Sequence, residues 1–284
     1  MVDDSVADLA KTIEGVDEVI NFKSKKHSFF ELLKASNELR GKFDCCIIFN
    51  PSKSAHVLSF LSAISKRVGY SRKWGFLLTK SLEDKKNFGL KHEVDYNLDL
   101  VNLLGIRTED KSISLNVNTD FGQAVLKKYN ISEKDKIVVI HPFTSDRVKE
   151  WPIEHFRQLA IDIAGELGLY VFIVGEQAQK QASAHLFNGL GSNIINLTGE
   201  TTLVELAGLL ALSSCLISCD SGPMHLAAAV NTSTIALFRN DIPGKTAKRW
   251  GPWGQGHIVI ETSSLIDISA KQVLNSLKDI LILK

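Results

Sequence analysis

Residues 216–229, LISCDSGPMHLAAA, constrain the fold of this chain more than any other stretch. A short apolar run ends in Asp220-Ser221-Gly222-Pro223, and Met224-His225-Leu226-Ala227-Ala228-Ala229 then has helix-forming composition. The expected product is a strand, a tight turn and a helix N-terminus. Gly222 can adopt backbone angles closed to other residues, and Pro223 suits a first helical turn, where the amide it lacks would have no intrahelical acceptor. The amides of Gly222, Met224 and His225 would then face the space beyond the strand, where unpaired N–H groups and the helix dipole favour an anion, phosphate above all. A second reading stays open: Asp220 or Ser221 caps the helix through its own side chain.

The same strand-to-helix rhythm runs along the chain. Residues 136–141, 170–174 and 234–238 are dominated by consecutive apolar residues, as strands buried on both faces of a parallel sheet require. Between and after them, helical spacing covers 121–129, 153–166 and 203–212, with a terminal helix over 269–283. Pro152 at a first helical position opens the second of these and Gly168 closes it; Thr202 and Glu205 have capping-box spacing at the third. Shorter strands fall at 193–197 and 257–260. The first half repeats the alternation: helical spacing in 1–15, a strand at 16–22, a helix over 29–39, a strand at 43–49, a helix over 54–65, a strand at 68–70 and a helix over 92–104. Residues 107–119 are polar and mixed, so the expected division is 1–117 and 118–284, two α/β domains with parallel sheets.

A chain of 284 residues suffices for two such domains, and its net charge of +1 provides no field to recruit nucleic acid. Basic clusters at Lys23-Ser24-Lys25-Lys26, at Lys66-Arg67 with Arg72-Lys73, and at 245–249 are short; each reads as a solvated face, the first two also as neighbours of an anionic membrane surface. Four scattered cysteines, Cys45, Cys46, Cys215 and Cys219, read as buried reduced thiols, which favours the cytosol. No apolar run reaches the length of a membrane span, and the opening Met-Val-Asp-Asp lacks the pattern of a signal peptide.

Three loops fall at strand ends on one side of the second sheet. In His141-Pro142-Phe143-Thr144-Ser145-Asp146-Arg147-Val148-Lys149-Glu150-Trp151, the hydroxyls of Thr144 and Ser145 and the ammonium of Lys149 suit a phosphate or diphosphate, or else form a solvated surface loop. At Gly175-Glu176-Gln177 a carboxylate or amide can accept from a ribose or base, or cap a helix. The third loop is the Asp-Ser-Gly-Pro-Met-His turn; Met224 reads as a pocket lining or as core filler, and His225 as a phosphate donor or as an ordinary hydrogen-bonded histidine.

In this order and spacing, HPFTSDRVKEWP, the V-G-E turn and CDSGPMHLAAA resemble the C-terminal domain of glycosyltransferase family 9, the ADP-heptose:lipopolysaccharide heptosyltransferases. The likeness extends more loosely over the first half, through residues 15–20, 43–49 and 92–106. It implies a GT-B architecture: two Rossmann-like domains facing a cleft, the first on the acceptor side and the second holding the nucleotide-sugar. On that pattern Thr144, Ser145, Lys149 and the amides after Ser221, in the turn Gly222-Pro223-Met224-His225, contact the donor diphosphate, and Asp220 holds sugar hydroxyls. Glu176 lies at the nucleoside side, with Gln179 where the family pattern has a glutamate. Lys149 and Asp220 would be the catalytic pair. The implied reaction is an inverting transfer of a heptose or related sugar from a nucleoside-diphosphate sugar, ADP-heptose on the family pattern, to a lipopolysaccharide-type acceptor. Lys149 and a helix N-terminus would stabilise the leaving diphosphate, without metal or cofactor. The implied location is cytoplasmic, at the inner face of the membrane through peripheral association.

One departure stands at the front. The family's first strand and its Gly-Asp loop, which carries the proposed general base, have no counterpart, and no Gly-Asp pair occurs in the sequence. The N-terminal domain is therefore expected to be incomplete, with apolar sheet edges that favour poor solubility or a partner. A nucleotide-sugar-binding protein without turnover, and a nucleotide-sugar epimerase or hydrolase on the same fold, are the competing expectations.

Overall fold

The computed structural model describes residues 1–23, 27–132 and 134–282; Ser24, Lys25 and Lys26 of the first basic cluster, and Leu283 of the expected terminal helix, lie outside the described residues. The chain divides into two compact units, Met1–Phe22 with Ser112–Lys284, and Lys23–Lys111.

The chain opens with the short helix α1 (Ala7–Ala10) and then enters the smaller unit. That unit holds α2 (Phe29–Leu39), β1 (Cys45–Ile48), α3 (Lys53–Leu61), β2 (Lys66–Tyr70), β3 (Lys80–Leu82) and α4 (Glu93–Asn102). Its three strands pair in parallel in the order β1-β2-β3. A small core of Val68, Tyr70, Tyr96 and Leu100 lies beneath them. Strand β3 was not anticipated, because Lys-Ser-Leu has neither alternation nor β-branching; its pairing to β2 makes it a strand. Lys86 is buried against Glu93 and sits 4.5 Å over the Tyr70 ring, so a charge inside this unit is both paired and held on an aromatic face.

The larger unit continues with α5 (Asp120–Lys128), β4 (Ile137–His141), α6 (Ile153–Leu167), β5 (Tyr170–Ile173), α7 (Lys180–Phe187), β6 (Ile194–Asn196), α8 (Leu203–Ala211), β7 (Cys215–Cys219), α9 (Gly222–Ala229), β8 (Thr234–Arg239), α10 (Ala247–Trp250), β9 (Ile258–Thr262) and α11 (Ala270–Ile282). Its six strands are all parallel, in the order β6-β5-β4-β7-β8-β9. The chain winds outward from β4 to β6, crosses back, and winds outward again from β7, so the sheet is doubly wound. Successive residues of β4 face opposite sides. Val138 and Ile140 pack with Phe156, Ile163, Ile217 and Leu274, while Ile137 and Val139 pack with Phe172, Leu206, Leu216 and Met224. Each such large side chain taken out of water contributes roughly 1.5–3 kcal/mol.

The expected division between 117 and 118 is corrected in both directions. It falls at Lys111 and Ser112, and the first 22 residues go with the larger unit instead of with the residues that follow them. Apolar packing and backbone hydrogen bonds explain this: Leu9 packs on the core layer around Leu206, Asn116 N donates to Thr12 O at 3.1 Å and Leu115 N to Ala229 O at 3.2 Å. The strand expected at 16–22 is reduced to one parallel bridge, Val2 with Asn21. Pro152 stands one place earlier than expected, as the N-cap of α6. Cys215 and Cys219 are buried free thiols as expected, but Cys45 and Cys46 are only partly buried. Among the described residues no helix is long and apolar enough to cross a membrane.

Candidate functional site

Strands β4 and β7 are neighbours at the point where the strand order reverses. Loops leaving two such strands diverge to opposite faces, and the crevice between them is where open parallel sheets bind ligands. A cavity of about 970 Å³ opens at this edge, of a size that encloses a small organic ligand. Its wall includes Thr144 and Ser145 from the loop after β4, Gly175, Glu176 and Gln179 after β5, and Asp220, Ser221, Gly222 and Pro223 after β7.

The loop after β4 is built to aim a lysine. The Asp146 carboxylate accepts from Val148 N at 3.3 Å, capping the single 3-10 turn Arg147–Lys149. The same carboxylate is paired with Lys245 at 2.8 Å, and this hydrogen bond holds Asp146 below the usual carboxylate range. Asp146 N donates to Thr144 Oγ1 at 3.3 Å. Lys149 leaves the turn toward the sheet, and its Nζ donates to the Asp220 carboxylate at 2.5 Å. Asp220 keeps only 8% of its side-chain surface exposed and Lys149 keeps 24%, so this pair is shielded more than a surface salt bridge is.

On the other wall, α9 starts without a side-chain cap. Ser221 takes the extended N-cap backbone, but its hydroxyl lies 2.8 Å from Ser218 Oγ. The capping alternative therefore falls away: Asp220 is committed to Lys149 and Ser221 to Ser218. Gly222 is not among the residues of positive φ, so left-handed backbone is not its reason. No atom lies within 4 Å of where its Cβ would stand, and that position borders the cavity. Glycine here leaves room for a group to approach the start of the helix.

At the foot of the site is His141, the last residue of β4, in register with Ser218 of β7. Its Nδ1 lies 3.2 Å from Ser218 Oγ, and burial pushes its imidazole down to about 4, so the ring is neutral near pH 7. Glu176 N donates to Gln179 Oε1 at 2.8 Å, which ties the turn after β5 and directs the Gln179 amide into its own loop.

The structure thus brings nine of the eleven expected residues to one place: Thr144, Ser145, Lys149, Glu176, Gln179, Asp220, Ser221, Gly222 and Pro223. The side chains of the other two point elsewhere. Met224 is fully buried in the core, and His225 lies edge-on to Trp250 at 6.2 Å. Sequence reasoning did not single out His141 or Ser218; a polar residue inside the all-buried run Cys215–Cys219 was the available signal. It also missed that Thr201, Thr202 and Leu203, and Val6 and Leu9 from the first residues of the chain, line the same cavity. Thr202 was legible only as the cap it also is, accepting from Glu205 N at 3.2 Å.

The strand order, the crevice at its reversal and the uncapped helix start define a doubly wound α/β protein with a cavity at the switch point. Its fold class is GT-B. The pattern of glycosyltransferase family 9 (heptosyltransferase) matches residues 32–276, and the chain belongs to that family. It is similar to lipooligosaccharide heptosyltransferase 2 of Campylobacter jejuni, 23% identical over 77% of this chain and 64% of that protein. The chain thus spans less than two thirds of the length of that relative. The crystal structure of a family 9 glycosyl transferase from Veillonella parvula superposes with a TM-score of 0.87 at 21% identity, covering 99% of this chain and 87% of that one. The structure of Escherichia coli ADP-heptose lps heptosyltransferase II does so with a TM-score of 0.81 at 22% identity, covering 99% and 88%.

Proposed function

We propose that this chain binds a nucleoside-diphosphate sugar, ADP-heptose by analogy with the named relative, at the cavity of the larger unit, and that its reaction is inverting sugar transfer to a lipopolysaccharide-type acceptor. The observation that carries the reading is the contact across the β4–β7 crevice of the Lys149 ammonium with Asp220, two residues before the uncapped, partially positive start of α9. In the transfer, an acceptor hydroxyl oxygen bonds to the anomeric carbon as the bond from that carbon to the diphosphate breaks. The hydroxyl proton passes to a base outside the residues assigned here. The departing diphosphate gains negative charge, which a fixed ammonium and oriented helix amides stabilise without a metal ion.

On this reading the Lys149–Asp220 contact is a preset charge pair. A diphosphate entering beside Gly222 takes up the lysine protons on its free side, and Asp220 keeps the ammonium aimed while its second oxygen accepts from a sugar hydroxyl. Nucleoside contacts fall to Glu176 and the turn after β5. The reaction is assigned to the cytoplasm, with peripheral attachment at the inner membrane. The test is calorimetric titration with ADP and ADP-heptose followed by transfer to a core-oligosaccharide acceptor. Binding with product whose anomeric configuration is inverted is the expected result; donor binding without product would make the chain a nucleotide-sugar binder, and absence of donor binding would overturn the reading.

A further inference from the structure

Three polar side chains at the cavity wall form a continuous hydrogen-bonded line: His141 Nδ1 to Ser218 Oγ at 3.2 Å, and Ser218 Oγ to Ser221 Oγ at 2.8 Å. Ser218 is fully buried between the other two; His141, 7% exposed, reaches the cavity at its foot, and Ser221 borders it at the start of α9. A serine hydroxyl has one proton and two acceptor sites. The Ser218 proton has three acceptors within reach: the His141 carbonyl oxygen at 3.2 Å, His141 Nδ1 at 3.2 Å when the ring carries its proton on Nε2, and Ser221 Oγ at 2.8 Å. If it turns to the carbonyl or to Nδ1, Ser221 must donate inward to Ser218 and offers the cavity only lone pairs, which repel an anion. Once it turns to Ser221, Ser218 needs a donor behind it, and only the Nδ1–H form of a neutral histidine supplies one while leaving every proton in the line pointing outward.

We propose that His141 and Ser218 are positioning residues that set the direction of the Ser221 hydroxyl, the line His141 Nδ1–H to Ser218 to Ser221 presenting one hydrogen-bond donor to the diphosphate of the donor substrate. This rests on the donor site proposed above and adds to it a proton-ordered backing. A neutral donor line brings no extra charge to be buried, and each member polarises the next, so the terminal hydroxyl is a stronger donor than an isolated serine. The register of β4 on β7 makes the line possible, since His141 and Ser218 are direct partners across the sheet.

Two measurements test it. In 15N NMR of protein labelled at histidine, the His141 ring at pH 7 shows the Nδ1–H neutral tautomer; the Nε2–H tautomer would overturn the proposal without any ligand being involved. In calorimetry with ADP and adenosine as probes, Ser218→Ala and His141→Leu each weaken ADP binding about five- to tenfold, less than the loss of a whole charge-assisted hydrogen bond because Ser221 itself remains and only its direction is no longer set. Adenosine affinity stays within about twofold, because the line faces phosphate and not nucleoside. His141→Asn, whose amide can donate from the place of Nδ1, recovers most of the ADP affinity, and Ser218→Ala adds no further loss to Ser221→Ala. Wild-type protein that binds ADP while Ser218→Ala binds it equally well would overturn the line alone. Failure of the wild type to bind ADP would overturn the donor site and the line together. Equal losses for ADP and adenosine, or additive effects of the two serine substitutions, would reduce His141 and Ser218 to structural residues.

Discussion

Lys149 and Asp220 lie 71 positions apart and meet at 2.5 Å, so each residue's behaviour has to be argued with the other in view. Lys149→Ala leaves a buried carboxylate unpaired and, on the proposed function, removes the ammonium from the donor diphosphate. Donor affinity should fall about 10- to 100-fold by calorimetry, in line with charge-assisted hydrogen bonds, and urea unfolding should show a loss of stability alongside it. Asp220→Asn keeps the shape and removes the charge that aims Lys149, so turnover should fall more than ADP affinity; equal losses would refute a contact between Asp220 and the sugar. Gly222→Ala separates fold from ligand: its Cβ meets nothing in the protein, so stability should stay within about 0.5 kcal/mol while ADP affinity drops. His141 gives a pH dependence of definite sign. Its folded value of about 4 lies below the ordinary histidine value of 6.5, so between these the unfolded chain binds the proton and the folded chain does not. Stability is therefore greatest above 6.5 and declines as pH falls toward 4, by on the order of 3 kcal/mol at most from this group. Denaturant titrations at pH 7 and pH 5 check it, with His141→Asn flattening the difference.

At the scale of elements, local chemistry explains the boundaries and close packing explains the orientation. The capping box of α8 was legible as Thr202 and Glu205, and both of its hydrogen bonds form, Glu205 N to Thr202 Oγ1 at 3.2 Å and Thr202 N to Glu205 Oε2 at 2.8 Å. Thr202→Ala should cost about 1 kcal/mol in chemical denaturation, with an added effect on ligand affinity because Thr202 also lines the cavity. Gly208 in the middle of the same helix has a different reason. A Cβ there would stand 2.2 Å from Asn118 O, so the polypeptide entering α5 crosses the helix in direct backbone contact. Gly208→Ala must push two backbones apart and should destabilise the larger unit by about 1–3 kcal/mol, read in thermal or urea unfolding. Nothing in the sequence around Gly208 announced this, since the crossing segment lies some ninety positions earlier in the chain. Strand β3 escaped notice for the opposite reason, because pairing with β2 overrode a sequence with no strand signal of its own.

For the whole molecule, two units with very different cores imply two different stabilities. The larger unit buries two layers around six strands, and the smaller has one small cluster under three. Native-state hydrogen exchange should place the slowest amides in β4, β5, β7 and β8, and those of β1 to β3 should exchange at lower denaturant; one shared opening free energy would contradict this. The sequence by itself determined strands β4 to β9, helices α5, α6, α8, α9 and α11 in their order, and the turn at Asp220, because helical period, buried apolar runs and caps act over a few residues. Only the tertiary structure decided which strands became neighbours, and with that the meeting of Lys149 with Asp220 and of His141 with Ser218, and the placing of the first 22 residues with the larger unit. The physical reason is that parallel strands are joined through crossovers, so adjacency is fixed by how whole βα units bury their apolar faces against one another and leaves no mark in the local pattern.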